Sequence, residues 1–285
     1  VSARVLLLAA ALAMPPAALP AGSPYGNGAP VRLKLAQGLP QAPDADAAAE
    51  HGGRSRRVEL EIGASRETLT SGLPDWSGAY FEATNHIGPR HTLYGGLRQT
   101  RRFSRDDVEA WGGLYYPLSA TWTGFVEATA SPSHNVLPVW SLSGQLHKIL
   151  LRGLIVHAGA RHVEHAGSDV RMAVAGAEYY WSNYRAAYTF HSSRLEGAGS
   201  APAHRFQLNY YYGDRSSIGI AYTTGREIEN VGAPRGLIAS EVRDWTLGGR
   251  HWFSRDWGVS WDLLTHEQGA LYRRDGFRIG LRHRF

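Results

Sequence analysis

Histidines, of which there are 13, and a balanced set of carboxylates and guanidiniums are the side chains here that could do chemistry. Arg161-His162-Val163-Glu164-His165 gathers imidazoles and a carboxylate, a donor set that holds zinc when its members converge. These residues fall at the end of an extended segment and in the connection after it. They lack the helical spacing of a metalloprotease site, so no metal ligand is assigned. His191-Ser192 and His266-Glu267 lie near segment ends, where a lipid-modifying enzyme would keep a serine or a histidine–carboxylate pair. No Gly-x-Ser-x-Gly elbow, phosphate-binding loop or dinucleotide fingerprint accompanies them. The sequence therefore assigns no catalytic residue and no cofactor. Phe253-Ser254-Arg255-Asp256 repeats part of Arg102-Phe103-Ser104-Arg105-Asp106, and convergent turn chemistry accounts for so short a match.

The charges are instead distributed with a period of two. In the last nine residues Phe277, Ile279, Leu281, His283 and Phe285 share one face of a strand, while Arg278, Arg282 and Arg284 share the other. A strand whose final residue is aromatic is the ending expected of a bacterial outer-membrane barrel. Phe277, Ile279, Leu281 and Phe285 are accordingly read as a signal to the barrel-assembly machinery. The formal net charge of +5 rests almost wholly on arginine, Lys34 and Lys148 being the only lysines. Because the arginines alternate singly with apolar residues instead of clustering, the pattern argues against nucleic-acid binding.

The chain is 43% hydrophobic, yet after the N-terminus no apolar run reaches the roughly 20 residues that a spanning helix needs. A membrane protein with this sequence must be a barrel, because only helices and closed sheets satisfy their backbone groups in lipid. Trp 9, Tyr 14 and Gly 33 suit strands and turns, and the absence of cysteine suits an oxidising compartment.

From residue 57 the sequence divides into strand-like segments at 57–65, 75–84, 90–100, 107–117, 121–130, 138–147, 152–163, 170–181, 184–192, 204–213, 216–225, 241–252, 256–266 and 276–285. This predicts an all-β, antiparallel, up-and-down transmembrane barrel of about 14 strands, or 12 if two weak segments are loop. Connections after even-numbered strands are mostly short, such as Leu118–Ala120 and Ser182–Asn183. Those after odd-numbered strands include Arg66–Pro74, Ser193–Ala203 and Arg226–Ser240. That sorting places the short turns in the periplasm. Tyr115, Tyr116, Trp122, Tyr179, Tyr180, Trp181, Tyr184, Tyr210, Tyr211, Tyr212, Trp252 and Trp257 flank the short turns and are read as an interfacial girdle.

Alternation also assigns the faces. Leu60, Ile62, Leu97, Val126, Leu142, Leu208, Ile220, Leu247 and Leu263 are among those expected to meet lipid. Expected inside are Glu82, Arg98, Glu109, Glu127, Glu178, Asp244 and Asp262, with Arg161, Arg185, Arg250, Arg278 and Arg282. Opposite charges in similar number predict a crowded, ion-paired lumen that is narrow and not a wide pore.

Upstream, Arg4 followed by the apolar stretch Val5–Met14 and small residues through Ala21 has the layout of a secretory signal. Residues 1–21 are assigned to it, with cleavage after Ala13 or Ala21. Residues 22–56, rich in Ala, Gly, Pro, Asp and Gln, form a flexible periplasmic leader, and residues 57–285 the barrel.

Tyr115-Tyr116-Pro117-Leu118-Ser119, Trp122-Thr123-Gly124 and Val126-Glu127-Ala128 resemble segments of the YaiO family of outer-membrane β-barrel proteins. So do Ser131-Pro132-Ser133-His134-Asn135-Val136-Leu137-Pro138 with Trp140, and Glu178-Tyr179-Tyr180-Trp181-Ser182-Asn183-Tyr184-Arg185. The resemblance implies an integral outer-membrane barrel and carries over no catalytic residue. For some relatives it implies an association with envelope or exopolysaccharide systems. The expected partners are outer-membrane lipid and lipopolysaccharide, the assembly machinery and a polysaccharide. A structural or transport-related role is expected, as a narrow channel or an accessory to surface-saccharide export; the alternative is an enzyme that modifies lipid or lipid A.

Overall fold

The computed structural model describes residues 58–88, 90–195, 199–213, 215–230 and 236–285. The signal and leader assignments fall outside the described residues. Fourteen strands follow one another: β1 (Val58–Leu69), β2 (Trp76–Gly88), β3 (His91–Arg102), β4 (Arg105–Pro117), β5 (Trp122–Ala130), β6 (Trp140–Leu151) and β7 (Leu154–His165). The second half comprises β8 (Ser168–Trp181), β9 (Tyr184–Leu195), β10 (Gly199–Tyr212), β11 (Ser216–Asn230), β12 (Leu237–Trp252), β13 (Trp257–Gln268) and β14 (Tyr272–Arg284). Each strand pairs antiparallel with its neighbours in sequence, and β1 closes on β14. Closure runs from Glu59 opposite Arg284 to Leu69 opposite Arg274, and the Phe285 amide donates to the Val58 carbonyl at 2.9 Å. The sheet thus closes on itself.

Sidedness follows the period of two. Leu208, Ile220, Leu247, Leu263 and Phe277 stand opposite one another across β10 to β14 and form one exposed apolar row around the outer wall. All the outward residues expected from alternation are exposed or half-buried, whereas Glu82, Glu109, Glu127, Glu178, Asp244 and Asp262 are buried on the opposite face. The arrangement inverts that of a soluble barrel.

Two features differ from the sequence reading. The connections expected to be long are mostly strand: β9 continues to Leu195, β10 begins at Gly199, and β11 and β12 reach Asn230 and Leu237. Small residues, Gly199, Pro202 and charges such as Arg194, Arg226 and Glu227 interrupt the membrane's alternation here, so the pattern reads as loop although the ladder continues. The aromatic pairs, moreover, divide between the faces, because consecutive residues of a strand cannot share one. Tyr116, Trp181 and Trp257 face outward, while Tyr115 is buried inside and Trp252 lies beneath the inward Arg282 guanidinium.

What remains outside is a true belt. Tyr179, Trp181, Tyr184, Tyr210, Tyr212 and His251 form a chain of ring contacts with centroids 5.1–6.1 Å apart, all at the end of the short turns. Trp257, His283 and Phe285 continue it at 4.3 and 4.4 Å. Amphipathic rings settle where hydrocarbon meets water, so the belt marks the periplasmic boundary.

Leu247 stands midway along β12 between His251 of this belt and the exposed Arg243. Leu247→Arg would put a charge near the bilayer midplane and should cost about 2–4 kcal/mol. The same change at Thr224 of the outer rim should cost no more than about 1 kcal/mol. Reversible denaturant unfolding in vesicles measures both, and equal costs would contradict the assigned membrane position.

Candidate functional site: an ion-paired and strapped lumen

Fourteen strands enclose a bore too wide for short side chains to fill, and its inner wall is lined by long ones. At the β14–β1 seam Arg282 contacts Glu59 and Glu61, each at 3.1 Å. Beside it Arg278 donates to Asp262 at 2.5 Å. Arg98 binds Glu109 directly across the β3–β4 ladder. Arg185 gives its Nε to Glu178 at 2.7 Å and its Nη1 to Asn209 at 2.9 Å. Asp244 faces Arg205 at 3.7 Å and His266 at 3.6 Å. Glu127 accepts from the Tyr94 hydroxyl at 2.6 Å, and Glu82 is buried with Thr84 beside it. Arg250 donates to the Arg215 carbonyl at 2.7 Å.

These contacts join neighbouring or next-neighbouring strands, so charge is neutralised along the wall and not across the bore. Register explains it: directly opposed residues on adjacent strands are about 5 Å apart, well within reach of a guanidinium. The close packing depends on glycines. Tyr80 donates to Glu61 at 2.6 Å while its ring lies over Gly63 and Gly280, where a Cβ would collide with it.

Alternation in the sequence marks Glu59 and Glu61 as inward once Leu60 and Ile62 are placed outward. The apolar inner surfaces carry no such signal. Towards the periplasm Tyr94, Tyr115, Phe125 and Ile155 cluster, flanked by Trp111, Ile149 and Tyr180. Towards the exterior Val163, Val170, Leu195, Ala201 and Ile228 form a second cluster. Nearby, Trp76 is held between the Arg102 and Arg274 guanidiniums, at 4.4 and 4.7 Å, with Phe103 and Tyr272 at its edges.

At the extracellular end a loop is tied to the inner wall beside β4. β5 is only nine residues long, and β4 runs past its end. In the resulting notch Ser131 Oγ donates to the Val108 carbonyl at 2.7 Å and Ser133 Oγ accepts from the Val108 amide at 2.8 Å. Two hydroxyls thus replace the missing strand. The connection 131–139 then folds over the inward Asp107. This wholly buried carboxylate accepts the amides of Asn135, Val136 and Leu137 at 2.8, 2.7 and 2.9 Å, and the Asn135 side chain at 2.9 Å. Successive amides converging on one anion form a tight cradle, and Val136 and Leu137 are buried by it.

The residues considered for other chemistry are separated by the same alternation. His191 and His266 face the lumen, whereas Ser192 and Glu267 lie on the outer side, so neither pair can act on one substrate. Arg161 through His165 all lie within β7, not in a loop. Among the described residues, donor atoms lie within 4.8 Å of one another in His147–His157–Glu178 inside and in His162–Glu164–Asp169 outside.

Comparison with known proteins agrees with this geometry. The model of the YaiO membrane beta barrel domain matches residues 57–230, and the chain belongs to that family. A bacterial outer-membrane β-barrel is thus the class that fold, sidedness and family define. The solved TodX monoaromatic hydrocarbon channel, a deltaS2S3 mutant, superposes with a TM-score of 0.54 at 10% identity over 81% of this chain and 91% of its own. For the CymD monoaromatic hydrocarbon channel the values are 0.52, 10%, 81% and 89%. A bacterial polysaccharide outer membrane secretin gives 0.52, 8%, 82% and 100%. At such identities the likeness concerns the fold alone. A comparison with curated proteins finds no match.

Removing one member of a buried pair leaves the other charged and uncompensated. Glu178→Ala should therefore destabilise the barrel by about 3 kcal/mol, and Glu178→Ala with Arg185→Ala should recover most of that loss. Urea titration followed by heat-modifiable gel migration measures both, and an additive double mutant would show that the pair is not coupled.

Proposed function

We propose that this protein is a transport-related conduit, closed at rest, that serves as an accessory to the passage of a polar saccharide through the outer membrane. The loop that Asp107 holds against the inner wall at the extracellular end is the observation that carries the reading. A purely structural barrel has no need to tie a loop inside its own bore with four hydrogen bonds to one carboxylate. The lining supports a polar cargo. The carboxylates and guanidiniums of the wall offer hydrogen bonds to hydroxyls. The hydrocarbon channels and the polysaccharide secretin share the architecture, so cargo must be argued from this interior, and its charge favours saccharide over hydrocarbon.

The same reading takes residues 1–21 as an export signal and Phe277, Ile279, Leu281 and Phe285 as the strand that the assembly machinery recognises. Phe285→Ala should reduce the heat-modifiable fraction in cells while leaving refolding in detergent unchanged.

In planar bilayers the parent protein should be nearly silent, and Asp107→Ala should give stepwise conductance that added oligosaccharide reduces. Arg185→Ala should enlarge the conductance of an Asp107→Ala background. Silence of every variant at all voltages would overturn the conduit. Conductance indifferent to saccharide would leave the conduit and remove the cargo.

A further inference from the structure

Two histidines and a carboxylate converge on the inner wall. His147 of β6 stands directly opposite His157 of β7 in the ladder, with ring centroids 5.1 Å apart. Glu178 of β8 lies opposite Ile155, two residues from His157 along β7. The period of two turns all three side chains towards the bore, and all three are buried. One donor atom from each lies within 4.8 Å of the other two. His157 Nδ1 and Glu178 Oε1 are 3.8 Å apart, too far for a hydrogen bond. Donor atoms at about 2.1 Å from a tetrahedral zinc stand about 3.4 Å from one another. Small rotations of these side chains therefore suffice to bring the trio onto one ion.

The surroundings fix the carboxylate for that task. Its Oε2 accepts from Arg185 Nε at 2.7 Å and from the Tyr180 hydroxyl at 2.9 Å, which leaves Oε1 as the atom turned towards His157. Asn209 in turn accepts from Arg185. Groups that orient a ligating carboxylate in this way are the outer support a metal site needs. Opposite His157 stands Gly176, where a Cβ would come within 2.7 Å of His157 Cε1 and Nε2. The missing side chain lets the imidazole lie over β8 towards Glu178. An ion pair between Glu178 and Arg185 requires neither the gap at Gly176 nor two facing imidazoles beside it. No sequence motif marks the trio, because its members sit on three strands.

We propose that His147, His157 and Glu178 form a site for a zinc-class divalent ion on the inner wall towards the periplasm. Imidazole nitrogen suits such an ion, whereas magnesium and calcium prefer oxygen donors. Three protein donors leave a fourth position to water or a solute. Only one of the donors is anionic, and Arg185 holds its far oxygen, so the site suits an exchangeable ion more than a permanent one. The bound ion would tie β6, β7 and β8 together three residues of β8 from Trp181 of the periplasmic belt. The site stands independently of the conduit and its cargo.

The test uses the whole tag-free barrel, refolded in micelles and stripped with chelator, and the chlorides of zinc, cobalt(II) and magnesium as separate probes. Binding is read by native mass spectrometry and by thermal unfolding. The parent should take up one zinc per chain and gain stability, and cobalt(II) should give the visible absorption band of a four-coordinate ion. His147→Ala and His157→Ala should each weaken zinc binding by more than about a hundredfold, and Tyr180→Phe by about tenfold. His162→Ala, on the outer face, should leave it unchanged. In chelator both inner histidine variants should unfold close to the parent, which separates loss of the site from loss of the fold. The cobalt band of the parent needs no variant at all. A parent that takes up no zinc, or binding undiminished when His147 and His157 are both replaced, would overturn the site. So would loss of binding on His162→Ala, or an equal stability gain from magnesium.

Discussion

The backbone hydrogen bond is the constraint on which this molecule depends. In hydrocarbon an unpaired amide or carbonyl has no water to turn to, so a sheet that crosses the bilayer must close on itself. Pairing of β14 with β1 meets that requirement. Once the sheet is closed, the strand's period of two leaves no freedom about sides: alternate residues meet lipid and the others meet the bore. The row Leu208–Ile220–Leu247–Leu263–Phe277 and the inward set around Glu61, Asp262 and Arg282 are two consequences of one geometry.

Closing fourteen strands creates a second problem, an interior wider than ordinary packing can fill. Arginine answers it through reach. A guanidinium on one strand can meet a carboxylate on the next while its aliphatic stem covers the wall between. The near absence of lysine from the sequence fits this demand for planar, multiply bonded groups. Where charge is lacking, two apolar clusters cover parts of the inner wall, Tyr115 and its neighbours towards the periplasm and Val163, Val170 and Leu195 towards the exterior.

The barrel was legible in the sequence because lipid and lumen impose opposite chemistry on alternate residues. All fourteen segments are strands, and Arg98 and Glu109 could be placed inside without knowing that they would meet. Strand ends were less legible. Beyond the membrane the alternation changes sense, with Leu195, Ala201 and Ile228 buried inside and polar residues such as Arg194 and Arg226 outside, so stretches such as Ser193–Leu195 and Leu237–Ser240 read as loop while remaining in the ladder. The aromatic doublets misled for a local reason: Tyr115-Tyr116 must point to opposite sides, however well both suit an interface. Asp107 was invisible as a strap-holder, because its three amide partners lie nearly thirty residues away in a segment without periodicity. A short β5 was the one available clue, since a strand that stops early leaves its neighbour's backbone groups in need of partners.

That clue bears on how such a segment could move in the proposed conduit. Ser131 and Ser133 complete the wall at Val108 while the residues after them cover Asp107 on its inner side, so a single segment serves both purposes. Deep in the bilayer, releasing it would leave an amide and a carbonyl unsatisfied in hydrocarbon, and the segment would be locked. The notch lies instead at the extracellular end, where β4 begins and where water can take over both hydrogen bonds. Asp107, exposed once its cradle is withdrawn, would likewise be solvated as a carboxylate. Opening therefore exchanges protein hydrogen bonds for hydration and does not strip groups bare. A movable segment is affordable at this edge of the barrel and nowhere within the membrane band.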